Sequence, residues 1–276
     1  EFSAIAGTAA GQKEQGNGQF AVPAVNGLIR LKAERLDVGT LSWTPLQIAA
    51  RLTANGVDGE IENGVVCGIR TAGRFAVQKN DQIELDVRLS VKDGDLDSTS
   101  RCISFEKADV SGTYSLDAHL TGSGNRDEIA QTLSGGFDFV ARDGKFIRSA
   151  GVDATFDYLN DTGDFKVAFP DLNKTAFPYR FISAKGTVER QNIFAKELII
   201  EASPYTITMQ GKADLEQKTI DAKGLVTVLL PADKVIKSIP LVGAIVSGSL
   251  VGIPVEVSGP FEQPRVSYLS PGNLGA

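Results

Sequence analysis

The chain has 276 residues, of which 42% are hydrophobic, so it can bury a sizeable core in one large domain or two modest ones. Its formal net charge of -6 argues against nucleic-acid binding, because no basic stripe is present to neutralise phosphates. The chain also lacks a run of lysine and arginine that would bind an anionic membrane surface.

Residues 1–20 are predicted to form a flexible tail, since EQGNGQ is polar and rich in glycine. This stretch has neither the basic start nor the apolar run of a signal peptide. The opening Glu1-Phe2, with no methionine, is typical of a cloning scar. We therefore expect the chain to be a piece of a longer protein.

Residues 21–124 are predicted to form an N-terminal region of β-strands. Its clearest signal is IELDVRLSV, where apolar and polar residues alternate with the period of a half-buried strand. The apolar members of this run are Ile83, Leu85, Val87, Leu89 and Val91. TYSLDAHL repeats the pattern through Tyr114, Leu116, Ala118 and Leu120.

Residues 125–276 are predicted to form a second β-rich region, continuous with the sheet of the first. The segments FKVAF, YTITMQGKADL and PVEV alternate in the same way. Short polar turns such as KNDQ, RQN and EQKT separate successive strands and predict antiparallel hairpins. One-sided alternation means that one face of the sheet is wet and that the other needs cover.

Three short helices are predicted. They lie in SAGVDATFDYLN, with Ser149 as N-cap, in RDEIAQTL (126–133) and in PADKVIKSIPLVGAIVSG. The third helix would place on one stripe Val235, Ile239, Val242 and Val246. Three short helices cannot cover a long sheet, so the sheet must close on itself, stack on another sheet or leave an apolar trough. The predicted fold is mainly β, a long curved antiparallel sheet with a groove.

The run SIPLVGAIVSGSLVGIPV (238–255) contains no charged residue and raises the question of a membrane span. A spanning helix needs about 20 predominantly apolar residues in regular helical geometry. Pro240, Pro254 and three glycines interrupt this run, which leads directly into the alternating IPVEVSG. We interpret it as a short amphipathic helix that breaks and becomes a strand.

The segment DGDLDS has the acidic spacing of a calcium-binding loop at Asp93, Asp95 and Asp97. Ser98 and Ser104 stand where such a loop requires glycine and glutamate. We therefore interpret the segment as a solvated turn and predict no metal site.

His119 is the only histidine and falls on the polar side of its strand. A histidine relay or a His-based metal site needs partners that a single histidine does not supply. We predict an exposed strand residue, no catalytic residue and no cofactor. A carbohydrate-active enzyme, built on paired carboxylates, is the enzymatic alternative.

The two cysteines, Cys67 and Cys102, both lie in strand-like contexts. If paired, they would close a loop of about 35 residues and add on the order of 3–4 kcal/mol by chain entropy. Otherwise they are two buried free thiols. The residues alone leave both possibilities open.

The second half of the chain, from Leu133 to Ser270, resembles the C-terminal module of AsmA-like proteins. The resemblance begins in LSGGFDFVARDGKFIRSAGVDATFDYLN at Gly136, Phe137, Phe139, Asp143, Gly144, Leu159 and Asn160. It closes in IPLVGAIVSGSLVGIPVEVSGPFEQPRV at Ile239, Pro240, Gly243, Gly248, Val257, Gly259, Pro264 and Val266. The succession of hairpins between these two segments is similar as well.

This resemblance implies a Gram-negative envelope protein, held in the inner membrane by an N-terminal anchor and lying in the periplasm. Its implied role is to carry phospholipid or another acyl lipid between the inner and outer membranes, or to support outer-membrane lipid homeostasis and assembly. Outer-membrane or periplasmic proteins are the implied partners. An oxidising periplasm favours a Cys67–Cys102 disulfide.

The apolar sides of the predicted strands are the expected lining of a lipid groove. The candidate groove residues are Ile83, Leu85, Val87, Leu89, Phe165, Val167, Ile207, Met209, Val226 and Val228. The predicted helix from Val235 to Val246 is a candidate plug or gate. The competing interpretation is a structural β-sandwich of the envelope that carries no lipid, in which the apolar faces pack on each other.

Overall fold

A computed structural model of the chain describes residues 26–38, 41–104, 110–125, 128–146, 176–229, 245–247 and 250–268. In chain order its elements are β1 (Gly27–Ala33), β2 (Leu36–Val38), β3 (Leu41–Thr53), β4 (Gly56–Val66), β5 (Ile69–Gln78), β6 (Ile83–Asp95), α1 (Leu96–Ser104), β7 (Val110–Gly124), α2 (Ile129–Thr132), β8 (Ser134–Phe146), β9 (Phe177–Glu189), β10 (Asn192–Ala202), β11 (Tyr205–Asp214), β12 (Thr219–Leu229), β13 (Ile245–Ser247), β14 (Leu250–Pro260) and β15 (Arg265–Tyr268).

The fifteen strands form one open antiparallel sheet. From β3 to β12 the strands lie side by side in chain order, and β1 and β14 flank this run. The short strands β2, β13 and β15 pair with β3 or β14. The predicted architecture, a mainly β chain of successive antiparallel hairpins, is confirmed. Pairing between β7 and β8 continues the sheet across the predicted region boundary at residue 124.

The sheet has two sides at which the strands end and turn, as distinct from its outermost strands, and these two sides differ in their connections. At the first, which we call the α1 edge, lie helix α1 and the tight turns Cys67–Gly68 and Ser203–Pro204. At the opposite edge, which we call the turn edge, the strands are joined by the turns at residues 54–55, 79–82, 190–191, 215–218 and 261–264 and by the segment with α2.

The strand register gathers apolar side chains on one face, which we call the apolar face. Paired residues in an antiparallel ladder point to the same side, so each pairing extends the face by one strand. From β1 to β14 this face includes Ile29, Leu31, Ile48, Leu52, Val57, Ile61, Phe75, Val77, Leu85, Val87, Leu116, Leu120, Phe137, Phe139, Ile182, Val188, Ile193, Ile200, Ile207, Met209, Ile220, Val226, Ile253 and Val255. Outside the bulges, the described strands place no charged side chain on it.

The opposite, polar face carries the charges, and many of them are paired across strands. Lys185 lies directly opposite Asp138 in the register, with 3.0 Å between the ammonium nitrogen and a carboxylate oxygen. Arg180 likewise pairs with Glu201. The hydrogen bond from Lys185 to Asp138 raises the pKa of this lysine above its ordinary value. The polar face is therefore the wet face that the alternation predicts.

Register shifts interrupt the pairing of five strands. They lie between Trp43 and Leu46 and between Gln47 and Ile48 in β3, and in the other strands between Ile61 and Gly64, Val91 and Gly94, Ser111 and Thr113, and Ala195 and Leu198. A bulge bends its strand and increases the local twist. All of these shifts fall in the middle or in the α1-edge half of their strands.

Burial on the apolar face is graded from one edge to the other. Near the α1 edge, Tyr114, Ile200, Ile207, Val226 and others form a single buried cluster. Near the turn edge, the residues on the same face are half-buried, among them Leu52, Val77, Ile83, Val188, Ile193 and Ile220. From β7 to β14, where the members of this cluster lie, the face is therefore closed along the α1 edge and, apart from Ala222 and Val257, more open along the turn edge.

Tyr179 depends on two glycines for its place in the core. Its hydroxyl donates a 2.6 Å hydrogen bond to the carbonyl oxygen of Ser111. A Cβ built on Gly112 or on Gly144 would lie 2.4 Å from this hydroxyl, and Gly112 also has a φ of +137°. Only glycine fits at these two positions without displacing the buried ring.

Alkaline pH is expected to destabilise this core. Burial, aided by the charge of Asp143, raises the pKa of Tyr179 to about 12, and burial also raises the pKa values of Tyr114 and Tyr205. A raised pKa of a phenol stabilises the fold fully below pH 10.0 and loses this effect as the pH rises through about 12. We expect the free energy of unfolding to fall across that interval, with tyrosinate absorbance rising together with the loss of far-UV circular dichroism. The chain has five tyrosines, so tyrosinate absorbance from more than two of them at pH 10.0 in a fully folded chain would contradict this account.

The helices differ from the prediction in two places. The segment after Asp95, interpreted as a solvated turn, instead forms α1, and Asp95 accepts a 2.7 Å hydrogen bond from the backbone amide of Ser98 in the manner of an N-cap. Val246, predicted to end a helix, lies in β13 and pairs with Val251. The short helix predicted at 126–133 is confirmed as α2. The helix predicted at 149–160 and the residues Val235, Ile239 and Val242 lie outside the described residues.

Candidate functional site

Eight of the ten predicted groove residues fall in the described part of the chain. The register places all eight on the apolar face: Ile83, Leu85, Val87, Leu89, Ile207, Met209, Val226 and Val228. Phe165 and Val167 lie outside the described residues. The alternation therefore placed these residues of β6, β11 and β12 on a common face of the sheet.

The eight residues differ in depth, which the alternation did not predict. Val226 is 0% exposed, Val228 2% and Ile207 3%, so these three belong to the packed core of the chain itself, and Val87, at 6%, is buried as well. Ile83, Leu85, Leu89 and Met209 are half-buried. A ligand on the apolar face would contact the half-buried group, which lies away from the α1 edge.

Helix α1 is fastened over the α1 edge by one covalent bond and two hydrogen bonds. A disulfide joins Cys67, in the turn between β4 and β5, to Cys102 in the helix, which confirms the pairing that the resemblance implied. Thr99 donates to the carbonyl oxygen of Cys67 at 3.0 Å and accepts from the Tyr114 hydroxyl at 2.9 Å. Leu96 packs against the buried cluster. The sequence analysis did not predict that a helix covers this edge. The two cysteines were the one feature of the sequence that indicated a contact here.

The polar face carries the only histidine. His119 is exposed, and its Nε2 lies 2.8 Å from a carboxylate oxygen of Asp86. The hydrogen bond with His119 is the main reason that the pKa of Asp86 is lowered, and the nearby Arg74 guanidinium, 3.9 Å away, acts in the same direction. Each of these groups is at least 40% exposed, so this is a solvated charge ladder.

Two of the acidic residues that have calcium-like spacing stabilise the start of α1. Hydrogen bonds from Ser98 lower the pKa of Asp95, and Asp97 forms an ion pair with Arg101 one turn along the helix. Within the described ranges, no group of three or more histidine, cysteine, aspartate or glutamate side chains is arranged to hold a metal ion.

Two open hollows lie on the polar face of the N-terminal half. The larger, of about 660 Å³, is lined by Arg74, Glu84, Asp86, Thr121 and neighbouring residues. The smaller, of about 390 Å³, is lined by Arg30, Arg51, Glu60 and others and shares Asp58 with the first. The larger hollow is lined mainly by charged and hydroxyl groups, whereas the smaller combines charged groups with the apolar side chains of Leu28 and Ile29.

None of the helices in the described ranges has the length and apolar character needed to cross a membrane. Comparison with known proteins adds no relative, because no family model, no curated protein and no solved structure matches the chain. The candidate site is therefore argued from its own geometry.

Proposed function

We propose that this protein holds the acyl chains of phospholipids against its apolar face and carries them between the two membranes of a bacterial envelope. The observation that carries the proposal is the unbroken apolar face, which runs from β1 to β14 without a charged side chain outside the bulges. No nucleophile, acid–base pair or metal is required, because the task is one of solvation.

The energy of hydrocarbon transfer explains the need for such a face. Drawing a phospholipid with about 30 methylene groups into water costs roughly 25 kcal/mol, at about 0.8 kcal/mol for each methylene. The half-buried group around Leu85 and Met209 replaces part of the bilayer interior for these tails. A chain can then slide along the face without ever being fully exposed to water.

The dimensions of the sheet suit a lipid path. The main strand order contains eleven neighbouring pairs from β1 to β14, and strands are spaced by about 4.8 Å, so the apolar face extends for roughly 53 Å across the sheet. This is longer than the hydrocarbon core of a bilayer, which is about 30 Å thick. The face therefore has room for more than one lipid molecule in file.

The single-sheet architecture favours the carrier over the structural sandwich. A sandwich needs two sheets whose inner faces pack about 10 Å apart. The described strands form one sheet whose order does not close, so no second sheet among them covers the half-buried residues.

The resemblance to AsmA-like proteins and the disulfide support the envelope setting. Disulfides persist in oxidising compartments such as the periplasm and are rare in the cytosol. Anchoring in the inner membrane, and contacts with outer-membrane or periplasmic partner proteins, are parts of the same proposal.

A paired substitution on β6 tests the function. Leu89 and Ser90 are neighbours on opposite faces, so Leu89→Asp places a carboxylate on the apolar face and Ser90→Asp places it on the polar face. We expect Leu89→Asp to reduce the transfer of a fluorescent phosphatidylcholine between vesicles by about tenfold or more, because a charge against hydrocarbon is poorly solvated. Ser90→Asp is expected to leave the transfer unchanged.

A second, uncharged variant keeps the test informative if Leu89→Asp fails to fold. Leu85→Ser removes apolar contact without adding a charge, and circular dichroism verifies that each variant is folded. A folded Leu89→Asp and a folded Leu85→Ser that both transfer lipid at the original rate would overturn the proposal. So would a native chain that binds and transfers no lipid.

A further inference from the structure

The turn edge is where the headgroup of a bound lipid must lie, if the proposed function holds. Along the α1 edge the apolar face is buried beneath the chain's own residues, including Leu96 of α1. Toward the turn edge the same face is half-buried, and beyond it come polar turns. Between β7 and β14 a charged headgroup therefore stays in water at this second edge, where the chemistry of the turns decides which headgroup is accepted.

Carboxylates outnumber basic groups along this edge. Its described turns and the strand residues that flank them carry six carboxylates: Asp81, Glu128, Glu189, Asp214, Glu216 and Glu262. They carry four basic residues: Lys79, Arg190, Lys218 and Arg265. All ten are exposed except Asp214, which is half-buried. Lys212, two residues before Asp214 in β11, forms a 3.6 Å ion pair with it, so six carboxylates face five cations and the edge presents a small net negative charge to a headgroup.

Each basic residue of the edge also has an acid close by in the chain. Lys79 lies two residues from Asp81, Arg190 follows Glu189, and Lys218 lies two residues from Glu216. Arg265 lies three residues from Glu262. A lipid phosphate that approached any of these cations would also meet a carboxylate, so no position offers an isolated positive charge.

The carboxylates of the edge act together over the spacing of the turns. Successive turns are two strands apart, which is about 10 Å, close to the Debye length of about 8–10 Å at moderate salt. Asp214 accepts hydrogen bonds from the backbone amides of Gln217 and Glu216, and the first of these contributes most to lowering the pKa of this carboxyl. It therefore stays ionised at neutral pH.

We infer that the turn edge selects zwitterionic phospholipids over anionic ones. The mixed edge can attract the ammonium of a zwitterionic headgroup to a carboxylate and its phosphate to the adjacent base. A headgroup with net negative charge meets only the excess of carboxylates. The inference rests on the proposed function and adds to it the class of lipid.

A competition experiment measures the selectivity. The full chain is incubated with vesicles that contain equal amounts of phosphatidylethanolamine and phosphatidylglycerol with identical acyl chains. The protein is then separated, and its bound lipid is quantified by mass spectrometry. At low salt we expect phosphatidylethanolamine to be enriched about threefold, and the enrichment to decline toward parity as salt screens the edge.

Charge reversal at the edge supplies the decisive comparison. Glu216→Lys combined with Glu262→Lys gives the edge a net positive charge, and the preference is expected to shift to phosphatidylglycerol. The control combines Glu60→Lys with Asp117→Lys, which changes the total charge equally but lies within strands on the polar face, away from the turns. The control is expected to keep the original preference.

The possible outcomes distinguish a failure of the selectivity from a failure of the proposed lipid-carrier function. Lipid bound without preference at low salt, or a preference for phosphatidylglycerol in the native chain, would overturn the selectivity and leave the carrier intact. A preference that moves equally in the control pair would also overturn it, because total charge alone would then explain the result. If the protein bound neither lipid, the proposed function itself would be overturned.

Discussion

Replacing Ile207 by aspartate is expected to leave the protein largely unfolded. Ile207 is 3% exposed and pairs in the register with Ile200 and Val226, so a carboxylate there would lie among hydrocarbon groups. No cation of the described strands shares this part of the apolar face. The loss is expected to be about 4–5 kcal/mol, close to the whole stability of many domains.

The neighbouring residue provides a matched control. Thr208 follows Ile207 in β11, is exposed and points to the polar face, where Lys212 and Lys223 also lie. Thr208→Asp makes a carboxylate one residue away and is expected to change the free energy of unfolding by less than about 0.5 kcal/mol. Urea titrations followed by far-UV circular dichroism measure both variants.

The contrast between the two variants tests the assignment of the faces. A slip of one residue in the register of β11 would exchange them, since strand side chains alternate with a period of two. If Thr208→Asp unfolded the protein and Ile207→Asp did not, the apolar face described above would be the wrong one. If both variants were destabilised by about 4–5 kcal/mol, both sides of the sheet would be buried.

The faces of the sheet were predictable because the alternation is local. In IELDVRLSV the polarity of each residue indicates the face to which it points. The register then aligns the apolar sides of neighbouring strands into one face. The same holds for YTITMQGKADL, where Ile207 and Met209 were predicted correctly on the apolar side. Hairpin order followed as well, since turns such as KNDQ and RQN are too short for anything but antiparallel neighbours.

Depth on the apolar face was not predictable, because it depends on what packs against each strand. Leu85 and Val226 have equivalent positions in their alternating patterns, yet one is half-buried and the other is 0% exposed. The bulges that bend the sheet also left little trace in the pattern. Gly64 and Gly94 adjoin two of them, but glycine is too frequent in this chain to single them out.

Helix α1 was missed because distant contacts determine it. Its sequence LDSTSRCIS has few apolar residues and reads as a polar turn after DGD. The helix is held instead by a disulfide to Cys67, by Thr99 and by the buried hydroxyl of Tyr114. Tertiary contacts commonly override a weak local propensity in this way.

Removing the disulfide is expected to have the second-largest effect. Cys67 and Cys102 are 35 residues apart in the chain, so their bond closes a loop that the unfolded chain would otherwise explore. The double replacement Cys67→Ser and Cys102→Ser is expected to lower the free energy of unfolding by about 3–4 kcal/mol. Urea titration of the variant against the oxidised native chain measures the loss.

The change should also be local in its structural effect, because the disulfide fastens α1 to the turn between β4 and β5. We expect the backbone amides of α1 to lose their hydrogen-exchange protection entirely, whereas those of β11 and β12, far along the sheet, lose only the part that follows from the lower free energy of global unfolding. Thr99→Val serves as the comparison, since it removes both hydrogen bonds that accompany the disulfide but leaves the covalent bond. If Thr99→Val released α1 as fully as the double serine variant does, the hydrogen bonds and not the disulfide would hold the helix over the apolar face.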